Sequence, residues 1–203
     1  MKLIFPLIFF ASMINCFGQN NNDFKSMADV RLNNQDYTGA IVYYTKAIES
    51  DPKDDSSVYM RAFAKSAIKD YAGSIQDYTI LIVRWNGGWG CIDSFVGRGQ
   101  IKSIMKDYKG AMEDFNRAIE INPSQIMAYY QRGRLKNNLG DKRGAIADYN
   151  MVISISPNYA DAYYERALIQ IKLGNKENGC SDLSKAGELG KVEAYEAIKK
   201  YCN

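Results

Sequence analysis

The stretch Asp107-Tyr108-Lys109-Gly110-Ala111-Met112 is one of five related phrases that recur along the chain. The other four are Asp36-Tyr37-Thr38-Gly39-Ala40-Ile41, Asp70-Tyr71-Ala72-Gly73-Ser74-Ile75, Asp141-Lys142-Arg143-Gly144-Ala145-Ile146 and Asn175-Lys176-Glu177-Asn178-Gly179-Cys180. The small fifth residue of each phrase returns at intervals of 34, 37, 34 and 34 residues. A period of about 20 to 50 residues indicates an array of one supersecondary unit, and such arrays mostly present extended surfaces to partners.

Each repeat predicts two amphipathic helices. In the fourth repeat, apolar residues recur at helical spacing from Ala128 to Leu139, and Gly140 interrupts the run. A second run begins at Ala145 and stops before Pro157. Every first helix carries a small residue, and every second helix carries a large apolar one, which favours close packing of the two backbones. The small residues are Ala28, Ala62, Gly99, Gly133 and Ala167, and the large ones are Tyr44, Tyr78, Phe115, Tyr149 and Leu183.

These features resemble the tetratricopeptide repeat (TPR) family. The resemblance covers roughly residues 21 to 190. It implies an all-α fold, an α-solenoid of about five helix-turn-helix TPR units with a C-terminal capping helix. The array is expected over residues 19–190, with units near 21–54, 55–88, 92–125, 126–159 and 160–190, and the capping helix over 191–203.

Composition argues against several classes of function. The net charge is only +3, and basic residues alternate with acidic ones, so no basic stripe supports nucleic-acid binding. The chain has no His, the commonest general base and metal ligand, and its four Cys are too widely spaced for a zinc site. No nucleotide-binding or hydrolase motif is present. We therefore predict a module that binds a protein or peptide, without catalysis, cofactor or metal.

The N-terminus predicts targeting. Residues 1–18 read as a signal peptide, with Lys2 before an apolar run and cleavage before Gln19. The apolar run is too short to span a bilayer of about 30 Å. The sequence therefore predicts an exported protein, periplasmic or secreted. The alternative is a lipoprotein acylated at Cys16 and held in an envelope assembly, although Met13-Ile14-Asn15 matches such a site poorly.

Export would permit disulfides. Cys180 opens the second helix of the fifth repeat, and Cys202 ends the expected capping helix. Two antiparallel helices joined near residue 191 would bring these residues side by side, so the spacing favours a disulfide and leaves Cys91 over. Sequence alone does not fix disulfide connectivity. The alternative is therefore that Cys180 is a small buried residue and that Cys202 is unpaired.

A charge pattern follows the repeat. An Arg in the first helix lies 16 residues before an Asp in the second in four repeats, and the first repeat has Met27 and Tyr43 instead. The first repeat thus lacks both the Arg and the Asp. This joint absence predicts that the Arg and the Asp contact each other in the other repeats, because an unpaired buried charge is costly. The alternative is a ladder of four Arg that binds anions. The pairs are Arg61 with Asp77, Arg98 with Asp114, Arg132 with Asp148, and Arg166 with Asp182.

The family resemblance implies a concave groove lined by first helices. Aromatic and Arg residues are common interface anchors, although the tyrosines could equally pack between neighbouring repeats. Lys25 fits the family's clamp for a C-terminal carboxylate, but Asp29 and Met60 stand where Asn is needed, so that clamp is not expected. The predicted partner-binding residues are Tyr59, Phe63, Gln100, Tyr130, Arg134, Tyr164 and Leu168, with Lys25, Asp29 and Val96 on the same face.

The segment from Trp85 to Cys91 carries the three extra residues before the third repeat. Its glycines allow backbone freedom, and two Trp expose a large apolar area unless they are covered. We expect Trp85 and Trp89 to pack into the gap between the second and third repeats. The alternative is an exposed contact with a partner.

Overall fold

The computed structural model describes residues 21–202. The predicted signal peptide and Cys16 lie outside these residues. Within the described range the chain forms eleven α-helices and one short 3-10 helix, Trp89–Cys91, and no strand. The prediction of an all-α solenoid of helical repeats is confirmed.

The helices are numbered in chain order. They are α1 (Asn21–Asn33), α2 (Tyr37–Ser50), α3 (Asp55–Ala67), α4 (Tyr71–Arg84), α5 (Ile92–Ile104), α6 (Tyr108–Ile121), α7 (Ile126–Asn138), α8 (Lys142–Ile155), α9 (Ala160–Lys172), α10 (Lys176–Glu188) and α11 (Glu193–Tyr201).

The chain divides into two compact units, one ending at Leu81 and the other beginning at Ile82. In the first unit, α1 packs against α2, and α2 against α3. In the second unit, each helix from α5 to α10 packs against the next one along the chain. Odd and even helices therefore form the first and second members of successive pairs, and α11 follows the last pair.

The repeated phrase encodes the start of each second helix. Asp36, Asp107 and Asp141 are N-cap residues whose carboxylates accept a hydrogen bond from the backbone N–H of the glycine three residues later, at 2.9 to 3.0 Å. The carboxylate also lies directly over that glycine, where a Cβ atom would collide with it. The aspartate carboxylate therefore occupies the space that a side chain at the glycine position would take.

Asp107→Ala is expected to lower the free energy of unfolding by about 1 kcal/mol, because Gly110 loses the acceptor for its N–H. Chemical denaturation measures this change. Asn175→Ala is the matched control, because the Asn175 side chain makes no cap hydrogen bond in the fifth repeat. Equal losses at both positions would contradict the role given to the cap.

Close packing within a pair depends on the small residue of the first helix. A Cβ atom on Gly99 would lie 2.8 Å from the Phe115 ring, and one on Gly133 would lie 3.0 Å from the Tyr149 ring. The large residue of the second helix therefore lies directly against the backbone of the first, as the sequence predicts.

Buried ion pairs join the two helices of a repeat, and the predicted Arg and Asp pairing is present in all four repeats. In the fourth, the Nε and Nη2 atoms of Arg132 donate to both carboxylate oxygens of Asp148, at 3.0 and 2.6 Å. Asp148 is only 3% exposed. The guanidinium groups already bind carboxylates in this bidentate way, so the alternative of an anion-binding ladder is not supported. The other pairs are Arg61 with Asp77, Arg98 with Asp114, and Arg166 with Asp182.

Two further contacts complete this network. A Lys one turn after the Arg makes a second ion pair with the same aspartate, as Lys136 does with Asp148 at 2.8 Å. The remaining Arg nitrogen reaches back to the preceding second helix, as Arg132 Nη1 does to Asn116 at 2.7 Å. The network therefore joins adjacent repeats as well as the two helices of one repeat. Corresponding contacts are those of Lys65 with Asp77, Lys102 with Asp114, Arg61 with Thr45, and Arg166 with Asn150.

The capping helix α11 closes the last repeat. Ala194 and Ala197 pack into an apolar cluster with Leu183 of α10. The structure joins Cys180 and Cys202 in a disulfide with Cα atoms 5.8 Å apart. Among the described cysteines, Cys91 is left as a buried thiol whose pKa is raised by burial.

Candidate functional site

The predicted groove residues lie on first helices in both compact units. Tyr59 and Phe63 belong to α3 in the first unit. The second unit holds the remaining five, on three successive first helices. Gln100 lies on α5, Tyr130 and Arg134 on α7, and Tyr164 and Leu168 on α9.

In the first unit, part of the predicted face is used for internal contacts. Tyr59 packs edge-on against Tyr78 with ring centroids 5.5 Å apart. Asp29 accepts a hydrogen bond from the Tyr44 hydroxyl at 2.5 Å. Phe63 is 47% exposed, so it is the clearest accessible apolar side chain on this face.

In the second unit, Tyr130 is the centre of an aromatic cluster. Its ring centroid lies 5.9 Å from that of Tyr149 and 5.3 Å from that of Tyr159. The exposed Arg134 guanidinium lies over the Tyr130 ring, 6.0 Å from its centroid. Tyr130 therefore packs between repeats and remains partly exposed.

Glu165 adds an acidic group to this cluster. It lies on α9 between Ala162 and Ile169, which both pack in the same apolar cluster as Tyr149. Burial raises the pKa of the Glu165 carboxyl above its usual range, although the Arg134 charge acts in the opposite direction. Burial is the main cause of the raised pKa of Tyr149, and the Glu165 charge is the second. Residues three or four apart share one face of a helix, so Glu165 lies on the face of α9 that carries Ala162 and Ile169.

The Tyr149 hydroxyl is fully buried and has no hydrogen-bond partner in the described part of the chain. The equivalent hydroxyl in the first repeat, that of Tyr44, donates to Asp29. The fourth repeat has Arg134 at the position of Asp29. The Tyr149 hydroxyl is thus left without the acceptor that serves its counterpart.

Tyr164 and Leu168 line a surface depression of about 640 Å³ whose other wall is α11. The charged residues that line it all belong to α11 and are Glu193, Glu196, Lys199 and Lys200. At one side, the Lys191 ammonium lies 5.5 Å from the centroid of the Tyr164 ring. The capping helix therefore contributes to this part of the face, which the repeat pattern did not indicate.

Gln100 and Val96 are both on α5 but differ in environment. Gln100 is partly exposed. Val96 is buried against Cys91 and Phe95, so the expectation that it lies on the groove surface is wrong.

The expectation that the insertion buries its tryptophans is also wrong, since Trp85 is 49% exposed and Trp89 is 69% exposed. Asn86 and Gly87 adopt positive φ angles, which turn the backbone back. The Trp85 ring then lies against the backbone of Gly90, where a Cβ atom would collide with it. The segment therefore folds onto itself and leaves much of both indole rings exposed.

Residues that reasoning from the sequence missed are Glu165, Tyr159 and the buried hydroxyl of Tyr149. Aligning the repeats could have identified Glu165, because the equivalent residues in the three preceding repeats are uncharged. They are Met60, Gly97 and Gln131. Only the fifth repeat has an acid there.

Among residues 21–202, no group of three or more His, Cys, Asp or Glu side chains is arranged to hold a metal ion. In the same range, no helix is long and apolar enough to cross a membrane.

Comparison with known sequences places these helices in a family. Profiles of the tetratricopeptide repeat match residues 26–54, 92–125 and 160–189, and a profile described as TPR repeat matches 137–174. Together the matched ranges cover more than half of the chain. No curated protein matches the sequence.

Solved structures with the same fold include three helical-repeat proteins. MamA is 23% identical, with a TM-score of 0.67 over 86% of this chain and 98% of its own. YrrB, described as a TPR protein with an unusual peptide-binding site, is 22% identical, with a TM-score of 0.63 over 94% and 97%. A tetratricopeptide repeat protein from Parabacteroides merdae is 20% identical, with a TM-score of 0.70 over 95% and 75%.

Proposed function

Because the chain belongs to the tetratricopeptide repeat family, we propose that it is a non-catalytic interaction module. Its first helices in the second unit bind an extended or helical segment of a partner protein. The observation that carries this proposal is the accessible pairing of Tyr130 and Arg134. Tyr and Arg are the side chains that most often anchor interfaces.

The neighbouring arginines show why Arg134 is distinct. Arg132 and Arg166 each bind a buried aspartate through the Nε and Nη2 atoms of the guanidinium group. Arg134 instead lies exposed over an aromatic ring. Its donors are therefore directed to the surface, where a partner's carboxylate or carbonyl oxygen can accept from them. Peptide binding by YrrB, a protein of the same fold, supports the same use of this chain.

We also propose that this module acts outside the cytoplasm, because residues 1–18 read as a signal peptide. Mass spectrometry of the N-terminus of the protein recovered from cells tests this. Cleavage before Gln19 supports secretion or release into a periplasm. An acylated Cys16 at the N-terminus would instead support the lipid-anchored alternative, and an uncleaved N-terminus would contradict both.

Arg134→Ala is expected to weaken partner binding by more than about 1 kcal/mol, because it removes the accessible charged anchor. The partner is first identified by crosslinking in cells, and its affinity is then measured by isothermal titration calorimetry. Arg134 is a cleaner probe than Tyr130, which also packs against Tyr149 and Tyr159. Tyr130→Ala is expected to weaken binding and to lower stability as well.

Lys109→Ala is the matched control, since Lys109 is exposed on the second helix α6. It should leave the affinity unchanged. Binding that is indifferent to Arg134→Ala but lost when Trp85 and Trp89 are both replaced would move the site to the insertion and overturn the groove proposal.

A further inference from the structure

We propose that helix α11 is a contact surface for a second copy of this chain, and that the α11 of that copy packs antiparallel against it. A two-fold axis relates the two copies, so the same residues face one another from both sides. The contact is made by one exposed stripe of this helix, the α11 stripe. Its residues are Val192, Tyr195, Glu196 and Lys199, with Lys200 beside them. The inference is independent of the proposed function, whose two anchor residues lie on α7.

Two exposed apolar side chains are the first support. Val192 is 73% exposed and Tyr195 is 59% exposed. Val192 immediately precedes α11 and already has helical backbone angles, so these two residues, three apart, share one face of the helix. Ala194 and Ala197 lie on the opposite face, buried in a cluster with residues of α9 and α10. The last helix of a repeat array normally turns a polar face to solvent, so the apolar groups indicate a face that a partner covers.

Tyr195 is held in position without a partner. Its hydroxyl donates to the carbonyl oxygen of Gly187 on α10 at 3.1 Å. Its ring lies over Gly187, where an added Cβ atom would be 3.3 Å from the ring. The ring is therefore a fixed apolar platform whose outer side is exposed. An aromatic side chain that is already ordered loses little freedom on binding, so it suits an interface anchor.

The charges of α11 identify the occupant of this surface. Glu193 and Glu196 lie in the first turn, and Lys199 and Lys200 lie in the last turn. A parallel second helix would place like charges opposite each other, which is unfavourable. An antiparallel second helix places the acidic half of each copy opposite the basic half of the other, at both ends of the contact. The α11 of a second copy is thus complementary to this surface in charge.

Glu196 is the acid most available for such a pair. It forms no ion pair with another residue of the described chain, whereas Glu193 lies 3.5 Å from the Lys191 ammonium. The order of charges along α11 also suits the dipole of the helix itself. The dipole does not account for the exposed apolar residues of the same stripe, and a second copy accounts for both.

The size of the surface sets the expected affinity. The nine residues of α11 span about 13 Å. Two such helices bury less area than the interface of a stable dimer needs. We therefore expect a weak dimer, with a dissociation constant on the order of 100 µM.

Sedimentation equilibrium of protein expressed from the full sequence tests the inference, at concentrations from about 10 µM to about 1 mM. We expect monomer and dimer in equilibrium. Val192→Ser should raise the dissociation constant about fivefold or more, because it removes an apolar contact from the centre of the interface. Val192 is exposed, so this change should leave the fold intact. Glu113→Lys, at an exposed acid of α6, is the matched control and should leave the dissociation constant unchanged.

Exchanging the charges tests the antiparallel arrangement directly. A basic variant carries Glu193→Lys and Glu196→Lys, and an acidic variant carries Lys199→Glu and Lys200→Glu. Each variant alone should dimerise more than about tenfold more weakly than the unaltered protein, because like charges then face one another. An equimolar mixture of the two should dimerise at least as tightly as the unaltered protein. Circular dichroism checks the folding of each variant, and recovery in the mixture shows that both retain a competent α11.

Three outcomes overturn the inference. The first is a protein that remains monomeric up to about 1 mM. The second is a dimer that neither Val192→Ser nor the charge variants weaken, since its contact would then lie on another surface. The third is a mixture of the two charge variants that dimerises no better than each variant alone. None of these outcomes affects the proposed binding by the first helices, because the Arg134→Ala experiment tests that separately.

Discussion

Asp148→Ala is expected to lower the free energy of unfolding by about 3 to 5 kcal/mol, because it leaves two largely buried cations without their carboxylate. Asp148 is 3% exposed and binds Arg132 through both oxygens. It also binds Lys136 at 2.8 Å. Urea denaturation followed by circular dichroism measures the change.

The fifth repeat provides a natural comparison. Asp182 binds Arg166 in the same bidentate way, but the residue that corresponds to Lys136 is Gln170. Asp182 is also more exposed, at 8%. Asp182→Ala is therefore expected to cost less than Asp148→Ala, and a larger loss at Asp182 would contradict the importance given to the second cation.

Replacing the charged groups with apolar ones separates the cost of an unpaired charge from the value of the ion pair. A variant with Asp148→Leu, Arg132→Met and Lys136→Met is expected to recover much of the stability lost in Asp148→Ala, because no buried charge then lacks a partner. The first repeat already follows this solution, with Met27 and Tyr43 at the positions of Arg132 and Asp148. A double-mutant cycle on Arg132 and Asp148 that shows no coupling would contradict direct contact.

The fold was predictable because the repeat supplies the same information several times. The spacing of 16 residues between Arg132 and Asp148 recurs in four repeats, and the first repeat loses both partners together. The role of Lys136 was missed, although a Lys four residues after the Arg is present in three of the repeats. Residues four apart on a helix share a face, so this spacing could have revealed the third member of the network.

The candidate site was less predictable because it depends on differences between repeats. Tyr149 follows the repeat pattern, but its unpartnered hydroxyl results from Arg134 standing where the first repeat has Asp29. Glu165, which belongs to a different repeat, contributes after burial to the raised pKa of Tyr149. To predict such a site, one must know which side chains of neighbouring helices face one another. The sequence of a single repeat does not give that information.

The insertion shows a different limit. Large aromatic side chains favour burial in general, and this led to the expectation that Trp85 and Trp89 are covered. The outcome depended instead on backbone geometry at Asn86 and Gly87, whose positive φ angles fold the segment back. The Trp85 ring then lies against the backbone of Gly90. Local turns of this kind break the repeat, so the repeat gives no guide to them.

Breaking the link between Cys180 and Cys202 is expected to lower the free energy of unfolding by about 3 kcal/mol. The disulfide closes a loop over a sequence separation of 22 residues, and in the chain-entropy model the loss comes from the greater freedom of the unfolded chain. Cys202→Ala is the variant to measure. Reduction of the unaltered protein should give a similar loss, because Cys91 is the only described cysteine outside the disulfide.

The loss should be concentrated at the C-terminus. Helix α11 keeps its apolar contacts through Ala194 and Ala197 and the hydrogen bond from Tyr195 to Gly187, but nine residues make few contacts without a covalent link. Hydrogen exchange is therefore expected to speed up in α11 before α7 or α8, because local opening needs less free energy there than global unfolding does. Alkylation of the protein recovered from cells, under denaturing conditions without reductant, provides the deciding measurement. Modified Cys180 and Cys202 in that sample would show that the disulfide is absent in cells, whereas modification of Cys91 but neither of these two would show that it forms.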